Sequence, residues 1–294
     1  MRRPLAPAEL RARPFTRRQA LSVGLTDDHL RSSAWRRLLR DVYVSVELPD
    51  TPELRAAAAS LVLPHGAVIG YTAAAWLHGA DVRVSPLAPI EVVVGRGDQL
   101  RRAGLRATSA LIEPSDIAVV RGVPVTSPVR TAFDLARRSG AVEAIVRVDA
   151  MLNRGGCALD ALTAYVASHA GWPGVVGARR ALAHVDAGSQ SPMESRMRMA
   201  LVHGGLPRPQ TQIPVGPEGL PFAFLDLGYE AWRVGADYDG EPHRDRWRYD
   251  LARQERVRDH GWWHRRFTAL DARAGWGPVV RQVGGALLAA GWRP

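Results

Sequence analysis

The sequence predicts a multidomain α/β protein, of the α+β kind, in three segments: residues 1–50, 51–187 and 188–294. Three observations predict it. The chain's 294 residues exceed what one hydrophobic core of ordinary size encloses. The first fifty residues read as helix, glycine turn, helix and strand. After the polar break Gly188-Ser189-Gln190-Ser191-Pro192, apolar positions switch between helical and strand periods in the order αβββαβα.

In the first segment, Phe15-Thr16-Arg17-Arg18-Gln19-Ala20-Leu21 reads as a short capped helix ended by Gly24. Thr26 then caps a second helix with Asp27 and Asp28 in its first turn. Trp35 to Leu39 leads into Asp41-Val42-Tyr43-Val44-Ser45-Val46, a β-type run. This is the element order of a winged helix-turn-helix. Basic charge is densest here, with 10 Arg against 6 acidic residues. Arg17, Arg18, Arg31, Arg36, Arg37 and Arg40 are the candidate DNA contacts. Asp27 and Asp28 oppose phosphate at the start of the recognition helix, so a winged helix that only contacts protein is the alternative.

The net charge of +10 and the pI near 10.9 point to a polyanionic partner, and nucleic acid is the commonest. All 39 basic residues are arginine, which keeps its charge at any working pH and grips phosphate bidentately. Cys157 is the one cysteine, which excludes an internal disulfide framework and a Cys-rich zinc site. No apolar stretch follows Met1-Arg2-Arg3, and no apolar run is long enough to span a bilayer. A cytoplasmic protein without a membrane partner is expected.

The middle segment is alanine-rich. Leu54–Leu63 and Ala73–Leu77 read as helices, Ile90–Val94 as a buried strand, and Val129–Arg137 and Val142–Leu152 as amphipathic helices. His78 stands alone, and a structural histidine accounts for it better than a ligand.

In the third segment Pro192–Val202 reads as a helix. Gln210–Val215, Pro221–Tyr229 and Trp232–Asp239 read as strands, and 245–260 as a helix closed by Gly261. Trp262–Leu270 reads as a fourth strand and Pro278–Ala290 as a last helix. Asp226 interrupts the apolar run Phe222-Ala223-Phe224-Leu225-Asp226-Leu227, where a charge is costly to bury without a partner or a metal. The next strand returns with Asp237 and Asp239 on one face by the period of two, close to Asp226. Three converging carboxylates suit a hard cation such as Mg²⁺, or Mn²⁺, of the kind that phosphodiester hydrolysis uses to activate water. The competing reading is caps and a turn aspartate, which covers Asp239-Gly240 easily and Asp226 poorly.

Two resemblances bear on these segments. Thr16-Arg17-Arg18-Gln19-Ala20 with the Val42-Tyr43 strand resembles the N-terminal domain of AbiEi-type antitoxins. Residues 65–79 and Pro124-Val125-Thr126-Ser127-Pro128-Val129-Arg130-Thr131 resemble their middle region. In the third segment, five stretches together resemble the DUF559 family: Ser191-Pro192-Met193-Glu194-Ser195-Arg196, Phe224-Leu225-Asp226-Leu227, Asp237-Tyr238-Asp239-Gly240 with His243, 248–256, and Gly261-Trp262. That family belongs to the PD-(D/E)XK superfamily and is similar to very-short-patch repair endonucleases, which implies a restriction-endonuclease-like fold. The resemblance implies that Asp226 and Asp237 hold the metal, that Glu194 orients the water or holds a second metal, and that His243 is general base or acid. Asp237 stands where the family usually has glutamate, and Asp239 where the superfamily has lysine, which leaves Arg253 to meet transition-state charge. The sequence therefore carries two function classes. One is a metal-dependent DNA endonuclease or nickase with an N-terminal docking module. The other is a non-catalytic DNA-binding regulator of the type IV toxin–antitoxin class, with a cognate toxin protein as partner and a degenerate nuclease fold. An RNA-acting nuclease is a third reading, since phosphate contacts carry no base information.

Overall fold

The computed structural model describes residues 8–85, 88–240 and 247–294, with backbone alone for 247–251. His243 therefore lies outside the described residues, as does the expected start of the helix before Trp247.

The first segment is built from α1 (Ala8–Arg11), β1 (Phe15–Thr16), α2 (Arg17–Ser22), α3 (Asp27–Leu30), β2 (Trp35–Leu39) and β3 (Val42–Ser45). The caps expected from sequence form as expected. Thr16 and Thr26 each accept the backbone N–H three residues on, and Gln19 and His29 return the bond to the capping backbone. The strands order β1-β3-β2, antiparallel throughout. Leu10, Phe15, Ala20, Leu25, Leu30 and Trp35 fill the small core beneath them. The two helices, the turn at Gly24 and strand β3 are the elements expected, and β1 and β2 are additions, β2 completing a hairpin with β3.

The middle segment contributes α4 (Pro52–Ser60), β4 (Val68–Ile69), α5 (Tyr71–Leu77), β5 (Ile90–Val94), β6 (Leu105–Ser109), β7 (Ile117–Val120), β8 (Val123–Thr126), α6 (Pro128–Arg138), α7 (Ala141–Asn153), α8 (Leu159–Ser168) and α9 (Val175–Leu182). Its five strands form one mixed sheet in the order β6-β5-β4-β8-β7. Leu39 and Val42 of the winged-helix hairpin are buried in the same apolar cluster as Ile90, Val92, Leu105, Val123 and Val125 of this sheet. The hairpin is thus one packed body with the sheet, because its two inward residues lose their apolar contacts without it.

The third segment runs α10 (Pro192–His203), β9 (Gln210–Val215), β10 (Ala223–Tyr229), β11 (Val234–Asp239), α11 (Trp247–Asp259), β12 (Trp263–Thr268), α12 (Ala269–Arg273) and α13 (Gly277–Ala289). This is the expected order αβββαβα with one extra short helix, α12. The sheet order is β12-β11-β10-β9; β12 is parallel to β11, so α11 is the crossover such a pairing requires. Met197 and Leu201 of α10 and Val279, Val283 and Leu287 of α13 cover one side, while Val257 of α11 packs with Leu225 and Trp262.

By contacts the chain divides into two compact units, Met1–Leu135 with Arg154–Trp172, and Ala136–Asn153 with Pro173–Pro294. The break expected at 188 therefore falls inside the second unit. Gly188 sits so close to Thr211 that an added Cβ would lie 2.1 Å from its hydroxyl, and Ser189 is buried. Helix α7 anchors α10 there. Asp149 accepts from Arg198 and from Ser195, each at 2.7 Å, and all three are buried. The polar composition of 188–192 reflects this hydrogen-bonded turn rather than a loose linker. Among the described residues no helix is long and apolar enough to cross a membrane.

Candidate functional site

Two places carry the predicted chemistry, and each lies within one unit. In the first unit the acids that would repel DNA are matched. Arg17 Nε and Nη2 hold both oxygens of Asp27, at 2.7 and 2.5 Å, and keep that carboxyl below its ordinary range. Arg31 lies 2.5 Å from Asp28. Arg36 is half-buried, donating to Leu48 O at 3.0 Å and standing 3.5 Å from Asp50. Arg40 is exposed at the hairpin tip, 3.8 Å from Asp41. Arg18 and Arg37 are exposed, and no ion pair holds either among the described residues. The six candidate cations thus separate by role. Arg17 and Arg31 neutralise the acids of α3, Arg36 braces the hairpin, and Arg18, Arg37 and Arg40 present charge to solvent.

In the second unit, regular pairing of β10 with β11 ends at Leu227↔Ala236. Beyond that point two side chains continue the ladder. Asp226 Oδ2 accepts the Tyr238 N–H at 2.8 Å, and Asp237 Oδ1 accepts the Asp226 N–H at 3.0 Å. On the other oxygen of Asp237, Arg253 Nη1 donates at 3.3 Å. His264 Nε2 stands 3.0 Å from the same oxygen, without the alignment of a hydrogen bond. Arg253 also donates through Nη2 to Phe224 O. Glu194 is buried at the third position of α10, where its carboxylate accepts the Gln190 N–H at 2.8 Å. The groups facing Asp226 electrostatically are Asp237, Glu194 and Arg253; Asp239 turns to Arg266, 3.7 Å away.

The electrostatics follow from burial. Asp226 is pushed up to about 8, first by loss of water and then by the charges of Asp237 and Glu194. Burial also opposes ionisation of Asp237, but His264, Arg253 and the Asp226 N–H together hold it below its ordinary value. One carboxylate of the pair is neutral and the other charged near pH 7, which is the usual outcome when two acids share a dry site.

In the arrangement described, Arg253 occupies the Asp237 oxygen that a divalent cation would need. Both oxygens of Asp237 already have donors, and among the described residues no three acidic, histidine or cysteine side chains converge as a metal cage. The arrangement splices two diverging strands with side-chain hydrogen bonds and neutralises one carboxylate with an arginine.

Two residues here escaped the sequence reading. His264 is buried on β12, and the alternation of buried Trp262 and His264 with exposed Trp263 and Arg265 was a signal that could have placed it inside. Gln212 lies opposite Asp226, between the pairs Leu225↔Ile213 and Leu227↔Thr211. Its φ of 52° is the left-handed conformation that a residue with a side chain adopts only under constraint. Its Nε2 is buried and has no hydrogen-bond partner among the described residues. No pattern in Gln210-Thr211-Gln212-Ile213 announces that conformation.

The first unit holds a third cluster. Arg130 is fully buried, with Asp134 at 2.9 Å, Asp116 at 2.6 Å and the Trp172 ring 5.0 Å away; Tyr165 donates to Asp116 at 2.7 Å.

Residues 66–184 match the family of AbiEi antitoxin C-terminal domains. The match covers β4 to α9, and so includes the sheet that buries the winged-helix hairpin and the Arg130 cluster. It takes in the middle-region pieces read from sequence, all but His65, while the N-terminal pieces Thr16–Ala20 and Val42-Tyr43 lie outside it. Two uncharacterized proteins of Mycobacterium tuberculosis, Rv2248 and MT2308, are each 32% identical to this chain over 120 residues, which is 41% of this chain and 44% of theirs. The matched stretch thus spans less than half the length of these relatives. A solved structure, of the RV2827C protein from Mycobacterium tuberculosis, superposes with a TM-score of 0.42 at 16% identity, over 63% of this chain and 74% of that one.

Proposed function

We propose that this protein is a DNA-binding regulator of the antitoxin type, in which the winged helix docks on duplex DNA and the antitoxin-like region engages a cognate toxin protein. One observation carries the reading: the region matching the antitoxin family shares its apolar core with the arginine-bearing winged helix, through Leu39 and Val42. The pairing of Asp27 and Asp28 supports it, since the recognition helix then adds no net negative charge.

Binding through phosphates releases counterions, so affinity falls with salt with a log–log slope of about −0.9 per phosphate neutralised. Fluorescence anisotropy with a labelled duplex over a range of KCl concentrations is expected to show this dependence. Arg18→Ala and Arg37→Ala should each make the slope shallower by about one phosphate's worth. Point substitutions are the right test because removing residues 1–50 would open the shared core. A salt-insensitive complex, or slopes unchanged in both variants, removes the docking role.

A second reading, a Mg²⁺- or Mn²⁺-dependent endonuclease of DUF559 type, rests on the high pKa of Asp226 between Asp237 and Glu194. Here Arg253 would first have to leave Asp237. Calorimetry on the full chain should then detect Mg²⁺ or Mn²⁺ binding that Asp226→Asn abolishes, and Asp237→Glu should change plasmid cleavage about tenfold or more, equivalent to about 1.4 kcal/mol in the barrier. Metal binding that survives Asp226→Asn, or no cleavage by either form with several metals, removes this reading.

A further inference from the structure

We infer that the DNA-contacting surface extends past the winged helix onto the loop between β5 and β6, where Arg101 contacts phosphate beside the hairpin tip. The inference rests on the DNA-binding reading above and adds to it a site in the antitoxin-like region.

The loop is clamped to the wing. Arg102 donates to Arg40 O at 2.5 Å and lies 3.8 Å from Asp41, so its guanidinium sits at the turn joining β2 to β3. Gly104 has a φ of 85°, and an added Cβ would stand 2.4 Å from Leu39 Cδ2. Its left-handed φ favours glycine, and a side chain there would press on Leu39. Leu105, next in the chain, shares its core with Leu39. Loop and wing therefore move as one body, and a surface made by both is ordered before any ligand arrives, which reduces the entropy lost on binding.

The charge on this surface is one-sided. The stretch 95–104 holds Arg96, Arg101 and Arg102 against Asp98 alone. The wing adds Arg37 and Arg40, and its acid, Asp41, has both Arg40 and Arg102 at 3.8 Å. Arg101 is exposed, and no ion pair holds it among the described residues. Because it is adjacent in sequence to Arg102, its backbone lies beside the wing tip, within reach of the same strand of a duplex docked on Arg37 and Arg40. A polyanion with regularly spaced charges complements such a row, since each contact releases a counterion.

The test uses the full chain and the duplex titration in KCl. Arg101→Ala is expected to make the log–log slope shallower by about 0.9, and Arg101→Glu to weaken binding further. Both should leave the thermal midpoint unchanged, because Arg101 is exposed and no ion pair holds it among the described residues. If the wild type does not bind duplex DNA, the regulator reading itself falls. If the wild type binds and Arg37→Ala lowers the slope, but neither Arg101 variant does, this inference alone is overturned and the winged helix holds the DNA by itself.

Discussion

Arg130→Met is expected to destabilise the first unit by about 3–5 kcal/mol, the cost of leaving buried charges without their counter-charge. Arg130, Asp116 and Asp134 are all inaccessible to water, and the guanidinium bonds both carboxylates as well as Leu111 O. Burial works against the charge of Arg130, and the two aspartates outweigh it, Asp134 first and then Asp116, holding the guanidinium above its ordinary value. Removing it strands two acids in a dry interior, next to the Tyr165 hydroxyl. Replacing all three together, with Asp116→Asn and Asp134→Asn added, should recover much of the loss, because the penalty lies in the stranded charge rather than in the missing bond. Hydrogen exchange in peptides covering 117–135 reads the effect in this unit separately. Protection in Arg130→Met equal to wild type would show that water reaches the cluster and screens it.

In the second unit, stability is expected to fall as pH rises from about 4 to about 8. The ordinary value of an aspartate is 3.8, and Asp226 in the folded chain is pushed up to about 8. Between these values the unfolded chain has released the proton and the folded chain retains it. The folded state binds more protons, so raising the pH favours unfolding, at about 1.4 kcal/mol per pH unit. Asp237 does not blur this window: its value is lowered, so its contribution is present above 3.8 and disappears only as pH falls below that. Asp226→Asn keeps a neutral group in place and should be about several kcal/mol more stable than wild type at pH 8, while gaining little at pH 4. Exchange protection of peptides covering 223–239, at both pH values, measures this. An Asn variant with the same pH profile as wild type would assign the dependence to other groups.

How much of this was legible in the sequence differs by element. The third segment was readable strand by strand, since Gln210–Val215 has the bounds predicted, β10 and β11 start two residues later than predicted, and α13 is shifted by one residue. Its strands are bounded by glycines and prolines, and its helices by Ser191-Pro192 and Gly261. The middle sheet was mostly missed. Strand β4 is two residues long and β7 and β8 four each, too short for a period of two to stand out. Helices α8 and α9 start on Leu159 and Val175 without a side-chain cap, so no start signal marks them.

Residue types and spacing were enough to determine that Asp226 and Asp237 meet, because a charge in each of two apolar strands joined by a short turn has few places to go. They were enough, too, to mark the first fifty residues as a basic winged helix. Only the tertiary structure decided what the charges do. Asp237 is committed to Arg253 and His264, which arrive from the following helix and strand, and Asp27 to Arg17, ten residues before it. Arg130 finds Asp116 fourteen residues upstream. It also decided the boundaries: Leu39 and Val42 are buried with the antitoxin-like sheet, and Asp149 of α7 is bound to Arg198 of α10. A one-dimensional pattern reports the chemistry a side chain carries. Which counter-charge reaches it, and at what cost in lost water, is settled by contacts between residues far apart in the chain, and these form only when the core closes.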